Sequence, residues 1–301
     1  MELISDYMCD ETLRHALNEL TVKTFGFDFE GWVTGGYFEG DYIPYSFIED
    51  GKIIANVSAN RMQFLQNGVM KNYIQLGTVM TDVAYRRQGL AAKLMKHVIE
   101  EYGKTSDGIY LFGNLESLGF YRKMGFLEGA EYRYCVKPDL LSVRESDASV
   151  SLRKELSAFV PVDPSDDSMR AKYMNAIRNS VANSSLEQMN KFGLQMFYTM
   201  GLDGVFYAED IDCFIVTEQE ESTLILNSII SSKPVSLSEI LKRINSPFTE
   251  CKLGFAPLPE DREMCDAERY DGGDDYRFFY IGEELESIEK ERLYFPEFSH
   301  A

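Results

Sequence analysis

The segment "YRRQGLAAKLM", Tyr85–Met95, places two arginines, a glycine and an alanine directly ahead of a helix-patterned run, inside a chain of 301 residues with a formal charge of −19. The first N–H groups of a helix have no intrahelical acceptors and the helix dipole adds partial positive charge, so an open helix start attracts anions. Small residues at Gly89 and Ala91 allow phosphate oxygens to approach the main chain, and Arg86 and Arg87 supply the counter-charge that the acidic surroundings withhold. Each charge-assisted hydrogen bond contributes about 1.5–3 kcal/mol, so three or four outweigh the opposing field. A diphosphate suits such a place.

The elements that must hold this loop follow from the apolar spacing. Residues 2–6 suggest a strand, Asp10–Thr24 a helix capped by Asp10, and Asp28–Gly35 a short helix or turn. "YIPYSFIEDGKIIANVSANRMQFL" reads as a hairpin turning at Glu49-Asp50-Gly51, and "MKNYIQLGTVMTDV" as a third strand running into the arginine loop. From Gly89 onward Leu90, Leu94, Val98 and Tyr102 recur every four residues, the mark of an amphipathic helix. A strand "IYLFGN" follows, then a helix over Leu115–Met124 closed by Gly125, and a final strand over Phe126–Val136.

Strand, "YRRQGLA" loop and amphipathic helix together resemble motif A, (Arg/Gln)-x-x-Gly-x-(Gly/Ala), of the GCN5-related N-acetyltransferase (GNAT) superfamily, and "GTVMTDVAYRRQGLAAKLM" extends the likeness over the strand. The resemblance implies a mixed central sheet in an α/β fold, acetyl-CoA as co-substrate, and coenzyme A pyrophosphate contacts from Arg86, Arg87, Gln88, Gly89, Leu90 and Ala91. It also implies main-chain contacts from Val79 and Thr81 to the pantetheine arm. A second string, "LGFYRKMGF", is similar to the family's Phe-Tyr-x-x-x-Gly-Phe signature, which gives Tyr121 the part of the catalytic acid that protonates the departing thiolate. A thiol near pKa 8.5 and a phenol near 10 differ by only about 2 kcal/mol in that transfer. Asn114, directly after "IYLFG", is a further candidate at the cofactor site, either orienting a water or capping the next helix.

The implied reaction is direct attack of an amine on acetyl-CoA; the alternative is a non-catalytic acyl-CoA-binding or interaction module on the same fold. The acceptor is a small-molecule or peptide amine, cationic in view of the chain's charge. Its ammonium must lose a proton, and Glu49, Asp82 and Glu116 stand near strand or helix ends, each also explicable as a surface carboxylate or cap. The resemblance further admits the chain's own terminal carboxylate as a base, which draws His300 and Ala301 into consideration. Neither G-x-x-x-x-G-K-[ST] nor G-x-G-x-x-G occurs, which argues against a nucleotide-dependent kinase or dehydrogenase.

Residues 1–137 are expected to form the acyl-CoA-binding domain, 138–150 a linker, and 151–301 a smaller, degenerate domain of the same type with a C-terminal helix and tail. In that second half helical stretches are expected over Asp166–Phe192 and Ser236–Ile244, with strands at "GVFYAED", "CFIVTE", "STLILNSIIS", "CKLGFAPL" and "YRFFYIGE". "SKPVSLS" replaces the arginine loop there and makes a poor anion cradle. The acidic stretch Pro259–Asp275 reads as a solvated loop, with attraction of a cationic acceptor at the pocket mouth as the alternative. Five scattered cysteines without CxxC spacing and three histidines suggest neither disulfides nor a metal site. The acidic balance argues against nucleic acid or an anionic membrane surface as partner. With no apolar run near the roughly 20 residues of a membrane span, a cytoplasmic location is expected.

Overall fold

The computed structural model describes residues 1–142, 158–244 and 247–300. Asp10 caps α1 (Glu11–Phe25) by accepting from Leu13 N at 3.0 Å, and left-handed Gly26 closes it. The first half continues through α2 (Glu30–Thr34), α3 (Leu90–Tyr102) and α4 (Leu118–Lys123), interleaved with β1 (Glu2–Ser5), β2 (Tyr42–Glu49), β3 (Lys52–Gln66), β4 (Val69–Thr81), β5 (Gly108–Asn114), β6 (Leu127–Gly129) and β7 (Glu131–Val136). The second half carries β8 (Val160–Pro161), β9 (Leu186–Gln188), β10 (Val205–Ala208), β11 (Cys213–Glu220), β12 (Thr223–Ser231), β13 (Glu250–Leu253), β14 (Cys265–Tyr270) and β15 (Tyr276–Ile281), with helices at Asp167–Arg178, Phe192–Thr199 and Leu237–Arg243.

These strands form two mixed sheets, one ordered β1-β2-β3-β4-β5-β15-β6 with β9 attached to β3, the other β8-β10-β11-β12-β13-β7-β14. The second order repeats the first. In each, four antiparallel strands lead to a parallel pair, β4 with β5 and β12 with β13, followed by two more antiparallel strands. The strand between β5 and β6 comes from the second half, and the strand between β13 and β14 comes from the first. The halves have therefore exchanged one strand each.

The exchange explains where the sequence-based strand over 126–136 divides. Leu127–Gly129 pairs with β15 in the first sheet, while Glu131–Val136 pairs with β14 in the second, and buried Ala130 joins them. The expected helical stretch over 166–192 also divides. Its helix ends at Arg178, and Asn183, Ser184 and Ser185 take local and cross-chain hydrogen bonds, Ser185 N to Ala256 O at 2.9 Å among them, ahead of β9. Within the acidic stretch 259–275, β14 is an ordered strand, and the Arg133 guanidinium on β7 lies over the Tyr270 ring at 3.4 Å. Of the linker expected at 138–150, Pro138–Ser142 is a short helix, and 143–150 lie outside the described residues.

One core lies under α3, where Leu90, Leu94, Met95 and Val98 pack on Val57, Leu76, Ile109 and Leu111. Another lies between the sheets, where Phe64, Tyr73, Tyr110, Phe278 and Phe295 meet Tyr134, Leu226 and Leu253. No helix among the described residues is long and apolar enough to cross a membrane, and no group of three or more metal-ligating side chains occurs among them.

Candidate active site

The site begins with a fault in a sheet. β4 pairs with β5 only at Tyr73↔Gly108, Ile74↔Ile109 and Gln75↔Tyr110, although β4 runs on to Thr81 and β5 to Asn114. Each strand stays paired along its outer edge, β4 with β3 and β5 with β15 as far as Asn114↔Tyr276, so a wedge-shaped gap opens between them. A bulge accompanies the divergence: Asn56 faces Met80 and Ser58 faces Gly77, leaving Thr78 and Val79 together opposite Val57. Thr78 has φ +40°, an unusual backbone for a β-branched residue.

The anion loop follows directly from β4. Asp82 accepts from Ala84 N at 3.0 Å and caps the short turn Val83–Tyr85, Tyr85 donates its hydroxyl to Glu49 at 2.9 Å, and Arg86 Nε donates to Thr81 O at 3.3 Å. Arg87 and Gly89 both adopt left-handed backbone, φ +63° and +75°, which curls the chain back into α3. No side chain caps α3, whose first intrahelical bond is Lys93 N to Gly89 O, so the amides of Leu90, Ala91 and Ala92 have no helical acceptor. A Cβ built at Gly89 would meet nothing within 4 Å, so the space in front of the turn is open. Arg86, Arg87 and Gln88 are exposed, while Leu90 puts its side chain in the core and has only its main chain to offer.

Tyr121, on α4, is buried at the diverging end of β5. Its ring packs on Phe120, Phe126 and Phe279, and a Cβ at Gly113 would lie 2.5 Å from it, so the glycine is what allows the phenol to rest against the strand. Burial pushes the Tyr121 pKa up to about 12, leaving it a neutral proton donor near pH 7, and no hydrogen bond engages its hydroxyl among the described residues. Asn114 sits exposed at the end of β5, and its side chain does not cap the following turn Leu115–Ser117.

Thus Val79 and Thr81 occupy the β4 edge of the gap, Arg86 to Ala91 form the loop at its end, and Tyr121 and Asn114 lie along β5. The carboxylates considered as bases are otherwise engaged in two cases: Asp82 caps a turn, and Glu49 holds Tyr85 and the N-terminal ammonium. His300 stacks on Phe112 of β5 with ring centroids 3.9 Å apart, burial keeps it below the usual imidazole range, and its Nε2 has no partner. Ala301 lies outside the described residues. What sequence reasoning passed over is the polar set beneath the bulge, Tyr42, Asn56, Ser58 and Thr78. The signal was present in "ANVSAN", where Asn56, Ser58 and Asn60 fall at period two within residues 53–60 of β3, a stretch that is buried at every position.

The corresponding place in the second half is closed. Ser236 and Glu239 form a capping box on the helix Leu237–Arg243, and Leu237 N donates to the buried Asp261 carboxylate at 3.0 Å. Beyond Leu226 and Leu253, where β12 and β13 cease to pair, Glu297 N donates to Gly254 O at 2.8 Å and lays the C-terminal segment over the strand end. An internal carboxylate and the tail stand where the first half presents free amides.

Residues 8–126 match the Acetyltransferase (GNAT) family model. Solved structures similar to the chain include a GCN5-related N-acetyltransferase from Kribbella flavida (17% identity, 95% of this chain and 73% of that one, TM-score 0.55). A probable N-acyltransferase from Enterococcus faecalis V583 (13%, 95% and 74%, TM-score 0.55) and a GCN5-related N-acetyltransferase from Anabaena variabilis (16%, 93% and 72%, TM-score 0.51) are also similar. At these identities the likeness is one of fold, and it spans both halves. A search of curated proteins gives no match.

Proposed function

We propose that this protein is an acetyl-CoA-dependent N-acetyltransferase that uses only its first-half site. The observation that carries the reading is the gap between β4 and β5, which opens at one end on the uncapped start of α3 and has the unpartnered phenol of Tyr121 packed on its β5 side. The amides from Leu90 to Ala92 and the guanidinium groups of Arg86 and Arg87 suit the cofactor's diphosphate, and the free edge of β4 at Val79 and Thr81 suits its pantetheine arm. Acetyl-CoA supplies an activated acyl carbon with a thiolate leaving group. Main-chain N–H at Val79 or Met80 is the donor set for the carbonyl oxygen, and Tyr121 is the acid for the sulfur. An amine then attacks directly, with no covalent step on the protein. The charge of −19 favours a cationic acceptor.

Release of free thiol from acetyl-CoA, measured against a panel of polyamines, aminoglycosides, amino acids and peptide N-termini, tests the reading. Turnover with at least one amine is the expected result. Tight CoA binding with no turnover on any amine supports instead a non-catalytic acyl-CoA-binding module.

A further inference from the structure

Thr78, in the bulge beside the gap, is held in place by groups that no loop motif contains. Thr78 Oγ1 has three side-chain partners: the Tyr42 hydroxyl at 2.8 Å, Ser58 Oγ at 2.7 Å and Asn56 Nδ2 at 3.1 Å. That fills the donor and both acceptor positions of a hydroxyl. Asn56 Nδ2 also donates to the Thr78 carbonyl at 3.0 Å, and Asn56 Oδ1 accepts from Ser46 Oγ at 2.7 Å, which Tyr7 holds in turn at 2.6 Å. Ser46, Asn56 and Ser58 are wholly buried. A chain of five buried polar side chains thus converges on one half-buried threonine with a left-handed backbone.

The direction of the next peptide group follows from its planarity. In a trans peptide the C=O and N–H point opposite ways. The Thr78 carbonyl points to Asn56 on β3, so the N–H of Val79 in the same peptide points away from β3, to the side from which β5 has departed. A threonine at φ +40° leaves that conformation readily unless its surroundings over-determine it.

We propose that Tyr42, Asn56 and Ser58 form a positioning cradle, which locks Thr78 in its left-handed backbone so that the Val79 N–H is aimed into the gap as a preset donor to the acyl carbonyl oxygen. This inference rests on the acyl-CoA reading of the site and adds the device that fixes its carbonyl donor. It also accounts for a buried polar chain that hydrophobic packing alone would not require.

The test is the infrared carbonyl band of [1-13C]acetyl-CoA bound to the protein, read beside the calorimetric affinities for acetyl-CoA and for CoA. In the wild-type chain the band moves to lower frequency than in water-excluded reference solvents. Thr78→Val, which keeps the shape and loses the hydroxyl, is expected to remove that movement and to lower affinity for acetyl-CoA relative to CoA about tenfold, the value of one hydrogen bond. Thr78→Ser restores both. Tyr42→Phe, which removes one of three partners and leaves the core packed, gives an intermediate shift and serves should Thr78→Val fail to fold. An unchanged band and an unchanged affinity ratio in Thr78→Val, or in Tyr42→Phe if that alone folds, overturn the cradle while leaving the transferase reading standing. Failure of the wild-type chain to bind either CoA or acetyl-CoA overturns both.

Discussion

At the scale of the residue, the candidate acid depends on a neighbour without a side chain. Gly113 leaves room for the Tyr121 ring, and the resulting burial holds the phenol near pKa 12, above its ordinary value of 10. Tyr121→Phe is therefore expected to lower thiol release on any accepted amine by about 10²-fold, within the range for loss of a general acid, while CoA affinity measured by calorimetry changes less than twofold. A parallel loss of affinity would assign Tyr121 to binding. Because the folded pKa is the higher one, the proton is held more tightly in the native state, and this contribution to stability is complete below about pH 10 and lost as pH rises through about 12. Tyr121, Gly89 and the two arginines stand out in the sequence as candidates because their types and spacing match a loop and a signature that suit the proposed chemistry. Thr78 does not, since a backbone dihedral leaves no trace in residue type when the strain is carried by threonine instead of glycine.

At the scale of the element, the chain is most informative where one apparent strand serves two sheets. The apolar alternation over 126–136 is continuous, so periodicity alone gives one strand; only the tertiary partners, β15 on one side of Ala130 and β14 on the other, divide it. Glu131 stands at that crossing. It accepts from Phe295 N at 2.9 Å and from the Tyr276 hydroxyl at 3.3 Å, and desolvation by burial raises its pKa to about 8 from an ordinary 4.5. The folded state keeps a proton that the unfolded chain releases, so stability is highest below about pH 4.5 in this respect and falls by up to about 1.4 kcal/mol per pH unit towards pH 8. Glu131→Gln keeps the shape and removes the titration. Denaturant midpoints taken across that window should decline in the wild-type chain and flatten in the variant; equal slopes would contradict the buried, protonated Glu131. The long helix α3 was readable from its own period because all its apolar partners lie on one face. β14 was not, because its exposed Asp266, Glu268 and Arg269 hide the strand among loop-like charges.

At the scale of the whole molecule, the two halves are joined by exchanged strands as well as by packed faces. A chain ending at residue 137 lacks β15, which pairs with β5 from Ile109 to Asn114 and with β6 from Leu127 to Gly129, and it leaves β7 without β13 and β14. Such a fragment is expected to aggregate or to melt without cooperativity in circular dichroism, and to recover on co-expression with the remainder; a monomeric, cooperatively melting fragment would contradict the exchange. Likeness between the halves was faintly legible in the order of their elements, but the exchange was not, since no local pattern records which sheet a strand joins. On the proposed reading each chain binds one cofactor, because Asp261 and the tail fill the corresponding place in the second half. Calorimetric titration with CoA tests that claim most directly, in the wild-type protein and in Gly89→Glu, where the new carboxylate, at a left-handed position strained for any side chain, enters the open space proposed for the diphosphate. One site per chain in the wild type and none in the variant is the predicted result; binding undiminished by the substitution, or two sites per chain, would contradict it.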